Sequence, residues 1–270
     1  MTNPRITRIR PDMAAPRPPW RMPEPRDVAV KGHRIRYWEK GEGRPLVLAH
    51  GFSGSAPFEW GRVIDALAQR CRVIAPQCVG FAPSEQPDID YSTDALVGRL
   101  GGFFEALGLA DIVLLGESFG GWLVGSYAVR AAALGLPPIA KLAIVGGPVG
   151  KFKTPAPETS GFYHAAVARE VEAWLATQPQ FDNDGTREKI VKASGLRTGE
   201  LSLEAVSAIA APTLLIWGDK DALIPLSIGE AALGAIPDAR LVVFEDIGHI
   251  PSVECPTEFV QAVSAFAGSP

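Results

Sequence analysis

The sequence is poor in cysteine, in histidine, in excess positive charge and in long apolar runs. Its 270 residues contain only Cys71, Cys78 and Cys255. Three thiols cannot pair completely, and no Cys-x-x-Cys spacing occurs. That excludes a disulfide scaffold and the common zinc spacings, and the thiols are expected to be free in a reducing, cytoplasmic compartment. No apolar run reaches the roughly 20 residues of a helical membrane span, and no signal-peptide core follows Met1. The balance of 26 basic against 30 acidic residues gives a net charge of -4. Nucleic acid is thereby excluded as a partner, because phosphate binding takes clustered Lys and Arg. The one basic bias is local: Arg5, Arg8, Arg10, Arg17, Arg21, Arg26, Arg34 and Arg36. Residues 1–26 also concentrate proline and read as an irregular segment. Asp12, Glu24 and the prolines spoil the basic amphipathic helix of a transit peptide.

A chain of this size buries a large core without disulfides or metals. From residue 28 onward the pattern becomes periodic. Val28–Val30 and Arg34–Glu39 flank the turn Lys31-Gly32-His33 and read as an edge hairpin. PLVLA at Pro45–Ala49 is an apolar run without alternation, as in a strand covered on both faces. Further strands are expected at Cys71–Ala75, Ile112–Leu115, Leu142–Val145, Thr213–Trp217 and Leu241–Phe244. Helices are expected at Trp60–Arg70, Tyr91–Leu107 (with Ser92 or Thr93 as cap), Gly120–Leu134, Ile228–Ala235 and Thr257–Ala267. Strand–helix–strand alternation predicts an α/β fold, a mostly parallel central sheet flanked by helices. Residues 149–207 break the alternation. They hold no clear strand, three helical stretches (Phe162–Thr177, Arg187–Ala193, Leu203–Ala208) and the aromatics Phe152, Phe162, Tyr163, Trp174 and Phe181. Such a stretch is too long for a plain crossover. It reads as a helical cap inserted into a core of residues 27–148 and 208–270.

Gly116-Glu117-Ser118-Phe119-Gly120 follows one expected strand and precedes a helix. G-x-S-x-G in that context is a nucleophile elbow, in which a tight bend exposes the serine oxygen above a helix N-terminus. A serine needs a base. His249 lies just past the last strand, at the strand end where open α/β sheets bind ligands. His33 sits in an early turn and His164 in the expected cap. His50 has a structural role within its own loop. The base needs an orienting acid. Asp221 follows Thr213–Trp217 by the G-x-x-D spacing, and Asp219 is the alternative, read as a turn-former. The oxyanion that forms on attack needs backbone N–H donors. These are assigned to Phe119 and to Phe52 in the loop His50–Gly54. Phe152, Phe162, Trp174 and Ile250 are the expected substrate pocket.

The order Ser118, Asp221, His249, each just after a strand, resembles a cap-bearing serine hydrolase of the α/β-hydrolase fold. Ser118 at the elbow separates the chain from the Asp-dependent haloalkane dehalogenases and epoxide hydrolases of that fold. The run Arg72-Val73-Ile74-Ala75-Pro76-Gln77-Cys78-Val79-Gly80-Phe81, the Phe52–Trp60 loop and Ser118-Phe119-Gly120-Gly121 are similar to the meta-cleavage-product hydrolases, which cleave carbon–carbon bonds of 2-hydroxy-6-oxo-dienoates. Gln77, Glu117 and Ile250 stand where that subgroup usually has Asp, Asn and Trp, and Arg169, Arg187 and Arg197 compete for its substrate-binding arginine. The resemblance implies hydrolysis of a carboxylic ester of a small apolar or aromatic substrate. Carbon–carbon cleavage stands second, and acyl transfer, perhydrolysis or a non-catalytic ligand receptor behind it. No cofactor or metal is implied. The partner expected is a small-molecule substrate, with a homodimer left open.

Overall fold

One nine-stranded sheet runs β1-β9-β8-β7-β6-β4-β5-β3-β2. The strands are β1 (Ile6–Ile9), β2 (Pro25–Val30), β3 (His33–Lys40), β4 (Pro45–Ala49), β5 (Arg72–Pro76), β6 (Ile112–Glu117), β7 (Ile139–Val145), β8 (Thr213–Gly218) and β9 (Ala239–Phe244). The structure, a computed structural model, describes residues 3–150, 163–179, 181–199 and 201–269. β2 and β3 form the expected hairpin, β3 pairs antiparallel with β5, and every other pair is parallel.

The unalternating strand sequences follow from burial on both faces. Val47, Ala49, Ile112, Leu114, Leu215 and Trp217 point to one face. There they meet α3 (Thr93–Ala106), α4 (Phe119–Arg130) and α8 (Leu226–Ala235). Leu46, Leu48, Val113, Leu115, Leu214 and Ile216 point to the other, against α1 (Ala56–Trp60), α2 (Ile64–Leu67) and α10 (Pro256–Gly268). Alternate residues thus seed two cores. Ser92 caps α3 through its Oγ, which accepts from Ala95 N at 3.4 Å.

Between β7 and β8 the described elements are the helices α5 (Ala165–Leu175), α6 (Asp184–Ala193) and α7 (Leu203–Val206). No helix among the described residues is long and apolar enough to cross a membrane.

Two expectations are corrected. The helix expected over Trp60–Arg70 is broken at Gly61 into α1 and α2. A Cβ at Gly61 would meet Pro57 O at 2.6 Å and the Trp20 ring at 3.0 Å, because the N-terminal chain docks there. Nor is the N-terminal segment irregular throughout. β1 adds to the free edge of β9, with Leu241 N donating to Arg5 O and Glu245 N to Ile9 O, both at 2.8 Å. An edge strand left with unpaired backbone groups takes such a partner. From β1 the arm crosses to α5. The Trp20 ring stacks on Trp174 (5.2 Å between centroids) and donates through Nε1 to Phe58 O at 2.8 Å, with the Arg62 guanidinium 3.7 Å above it. Arg17 pairs with Glu170 of α5 at 2.5 Å.

Candidate active site

Every loop of the site leaves the carboxyl end of a parallel strand: β4, β6, β8 or β9. Ser118 sits between β6 and α4 at φ 57° and ψ -120°, a left-handed backbone that costs a non-glycine residue on the order of 1–3 kcal/mol. Gly116 and Gly120 permit the bend, because a Cβ at the first would overlap the carbonyl of Gly120 and at the second that of Ala49. Ser118 N donates to Val145 O at 2.8 Å and fixes the turn to β7.

Three side chains distant in sequence meet here. Ser118 Oγ lies 2.9 Å from His249 Nε2, and His249 Nδ1 lies 2.8 Å from Asp221 Oδ2. Asp221 is held by its other oxygen, which accepts from Leu223 N at 2.9 Å and Ile224 N at 2.8 Å. With Nδ1–H given to the carboxylate, Nε2 keeps its lone pair for the serine proton. Asp219 is turned elsewhere and accepts from Asp246 N at 2.7 Å, tying the β8 and β9 loops.

Loop 50–54 is fastened on several sides. His50 Nδ1 faces Gly51 O at 2.8 Å while Nε2 accepts from Cys78 N at 3.0 Å. Burial pushes this imidazole down to about 4. It is therefore neutral near pH 7, with its proton on Nδ1. Arg187 of α6 donates to Phe52 O at 2.9 Å and Ser53 O at 3.2 Å, and Gln77 Nε2 donates to Gly54 O at 2.6 Å. The Phe52 and Phe119 rings stack with centroids 4.5 Å apart. Phe119 N–H belongs to the first turn of α4, where backbone donors have no helical partner.

Behind the elbow lie three buried carboxyl groups to which sequence reasoning assigned no role. Glu117 is fully buried and takes the Ser252 hydroxyl at 2.6 Å, so its contact reaches α9 (Pro251–Glu254). Burial, and next the charge of Glu59, raise it well above the usual carboxylate range. Glu254 holds the base loop, accepting from Gly248 N and Ile250 N at 3.0 Å each and from His164 N at 2.8 Å. Burial raises it as well. Glu59 accepts from Gly51 N at 2.9 and 2.8 Å and contacts the Ser53 hydroxyl. The one available signal for Glu59 was a charge set between Phe58 and Trp60 on a helix that packs inward. For Glu254 it was a carboxylate five residues past a candidate base.

Among the expected pocket residues, Ile250 packs with Phe58, Val167, Val171 and Val253, and Trp174 joins the stack with Trp20 and Phe58. Both help seal α5 onto α1. Phe181 is exposed, and Phe152 and Phe162 lie outside the described residues. Arg169 and Arg197 are exposed, while Arg187 is engaged with loop 50–54 and Asp184.

Residues 46–262 match the Alpha/beta hydrolase family. The chain is 31% identical over 266 residues to a 2-hydroxymuconate semialdehyde hydrolase of Pseudomonas putida, covering 89% of this chain and 93% of that one. It is 27% identical over 276 residues to Lipase 3 of Moraxella sp. strain TA144, covering 88% and 82%. A solved meta-cleavage product hydrolase from Pseudomonas fluorescens IP01 superposes with a TM-score of 0.75 at 25% identity, covering 89% and 96%. Sheet order, strand-end loops and a match over most of the sequence agree: the chain belongs to the alpha/beta hydrolase family and is an enzyme of it.

Proposed function

We propose that the chain is a serine hydrolase that cleaves a neutral carboxylic ester of a small apolar or aromatic substrate. The observation that carries this reading is the hydrogen-bonded chain Ser118–His249–Asp221 at an elbow with a left-handed serine. His249 Nε2 takes the Ser118 proton as Oγ attacks the ester carbonyl. Asp221 keeps the imidazolium oriented, and the backbone N–H groups of Phe52 and Phe119 receive the charge on the carbonyl oxygen. His249 then protonates the departing alcohol, leaving an acyl group on Ser118. Water, deprotonated by the same imidazole, releases the acid. Helices α5, α6 and α7 act as a cap over this site, with the N-terminal arm bracing α5.

Carbon–carbon cleavage of a 2-hydroxy-6-oxo-dienoate is the second reading, favoured by the relatives that carry that activity. The charges around the site favour the ester. A dienoate brings its own carboxylate, and Arg187, the cation nearest the oxyanion loop, spends its guanidinium on loop carbonyls. Turnover of p-nitrophenyl butyrate and of a meta-cleavage dienoate, each with Ser118→Ala as control, tests both. The ester is expected to react and the alanine variant to be inert while still folded. Ester turnover by the variant would remove Ser118 from the reaction, and faster loss of the yellow dienoate would reverse the order of the readings.

A further inference from the structure

Glu59 is 1% exposed, yet it has no part in the proton transfers described above. Its carboxyl group spans the loop that presents Phe52. Both oxygens reach Gly51 N, at 2.9 and 2.8 Å, and Oε1 also meets the Ser53 hydroxyl. Gly51 is wedged between this carboxyl group and the elbow. A Cβ there would stand 2.8 Å from Ser118 Cβ, 3.0 Å from Glu117 O and 3.1 Å from Glu59 Oε1. A shift of Glu59 is therefore passed to the backbone on either side of Gly51, and so to the N–H of Phe52 relative to Ser118. Helix α1, which carries Glu59, is fixed by its own cap, Ser55 Oγ accepting from Phe58 N at 3.2 Å.

We propose that Glu59 is a positioning residue, a buried carboxyl group that sets the oxyanion loop against Ser118 through Gly51 and Ser53. The proposal rests on the reading of Ser118 as nucleophile and of Phe52 N–H as oxyanion donor. Its chemistry requires the acid form. A neutral carboxyl group donates O–H to the Ser53 oxygen and accepts from Gly51 N with its carbonyl oxygen, so both contacts are met and no charge is added. An ionised one keeps the contacts but places a second negative charge close to the oxyanion. That opposes the charge the loop exists to stabilise, in a setting of low dielectric.

The surroundings agree with the acid form. Facing Glu59 are Glu117 at the end of β6, Cys78 after β5 and Tyr163 ahead of α5; burial raises each first, and a charge on Glu59 would raise each further, so this apolar setting opposes ionisation of Glu59. Glu254 on α9 joins the same field, acting on Glu117 and Tyr163. From the opposite side of the loop Arg187 reaches the Phe52 and Ser53 carbonyls, and His50 is neutral near pH 7. Burial pushes Glu59 itself up to about 8.

The test is kcat and KM for p-nitrophenyl butyrate from pH 6 to about 9.5, a range that brackets the value above, in the full chain. Glu59→Ala is expected to lower kcat on the order of tenfold or more with KM little changed, since an oxyanion donor is displaced and not a substrate contact. Glu59→Gln, which can accept from Gly51 and donate to Ser53, is expected to restore most of that loss. It should also abolish the decline of wild-type kcat near pH 8. A Glu59→Gln profile that keeps the wild-type alkaline decline overturns the proposal, as does a Glu59→Ala enzyme with wild-type kcat throughout. If Glu59→Ala does not fold, the Gln profile alone decides. Failure of the serine-hydrolase reading is separate, because it appears as turnover in Ser118→Ala.

Discussion

Replacing Glu59 by Gln keeps the shape of the side chain and removes its titration, so the stability of the fold should change its response to pH. The carboxyl group has an ordinary value of 4.5 and is pushed up to about 8 by burial. A carboxyl group raised in the fold keeps its proton there after the unfolded chain has released its own. The folded state then binds more protons than the unfolded one, and stability falls as pH rises through the window from 4.5 to about 8. The contribution is whole below that window and lost above it. Each pH unit is worth about 1.4 kcal/mol per proton, so the step from pH 5 to pH 8 amounts to about 4 kcal/mol. Glu117 and Glu254 are raised too and add decline of the same sign in both proteins, so the difference between wild type and variant reports residue 59 together with its charge effect on Glu117. Urea unfolding at pH 5, 6, 7 and 8 measures it. The variant should gain on the wild type progressively across this range, with the m-value unchanged. Two parallel stability curves would refute a carboxyl group that stays protonated in the fold, and with it the charge argument for the oxyanion loop.

Two further perturbations address the remaining elements. Asp221→Asn should reduce kcat by about 10³–10⁴ with the fold intact, because the amide no longer selects the Nδ1–H tautomer of His249; a loss below tenfold in steady-state ester assays would reassign the acid. Trp20→Ala removes a stack, a hydrogen bond and a cation contact, so it should destabilise by about 3 kcal/mol in thermal unfolding. It should also raise KM more than it lowers kcat, and an unchanged KM would detach the arm from the proposed cap.

The parts of this fold that were readable from sequence are those written in local patterns. PLVLA and IVLL announce buried strands because both faces of β4 and β6 are covered, so no polar alternation survives. Ser118, Asp221 and His249 were legible because each follows such a strand, and chain order plus strand-end position substitute for coordinates. What was missed depends on partners far away in the chain. β1 is four residues between prolines, and its partner lies more than 230 residues on, so no window of sequence contains the pair. Gly61 looks like a tolerable helix residue until the arm is seen against it. Glu59 and Glu254 look like surface charges of short helices. Their function comes from backbone N–H groups that reach them only after α1 and α9 dock beside the elbow. Pocket assignments fared differently again, since aromatic residues that line a cavity and those that seal two helices have the same sequence signature.

The placement of β1 bears on how copies of this chain can associate. By covering β9, it leaves the sheet bordered by two strands that are poor templates for growth. One is four residues long, with Pro4 and Pro11 near its ends; the other opens with Pro25 and Arg26. Proline offers no donor to an incoming strand, and charge on a border strand discourages stacking of one sheet onto the next. Lateral fusion of sheets between two molecules is thus disfavoured at both borders.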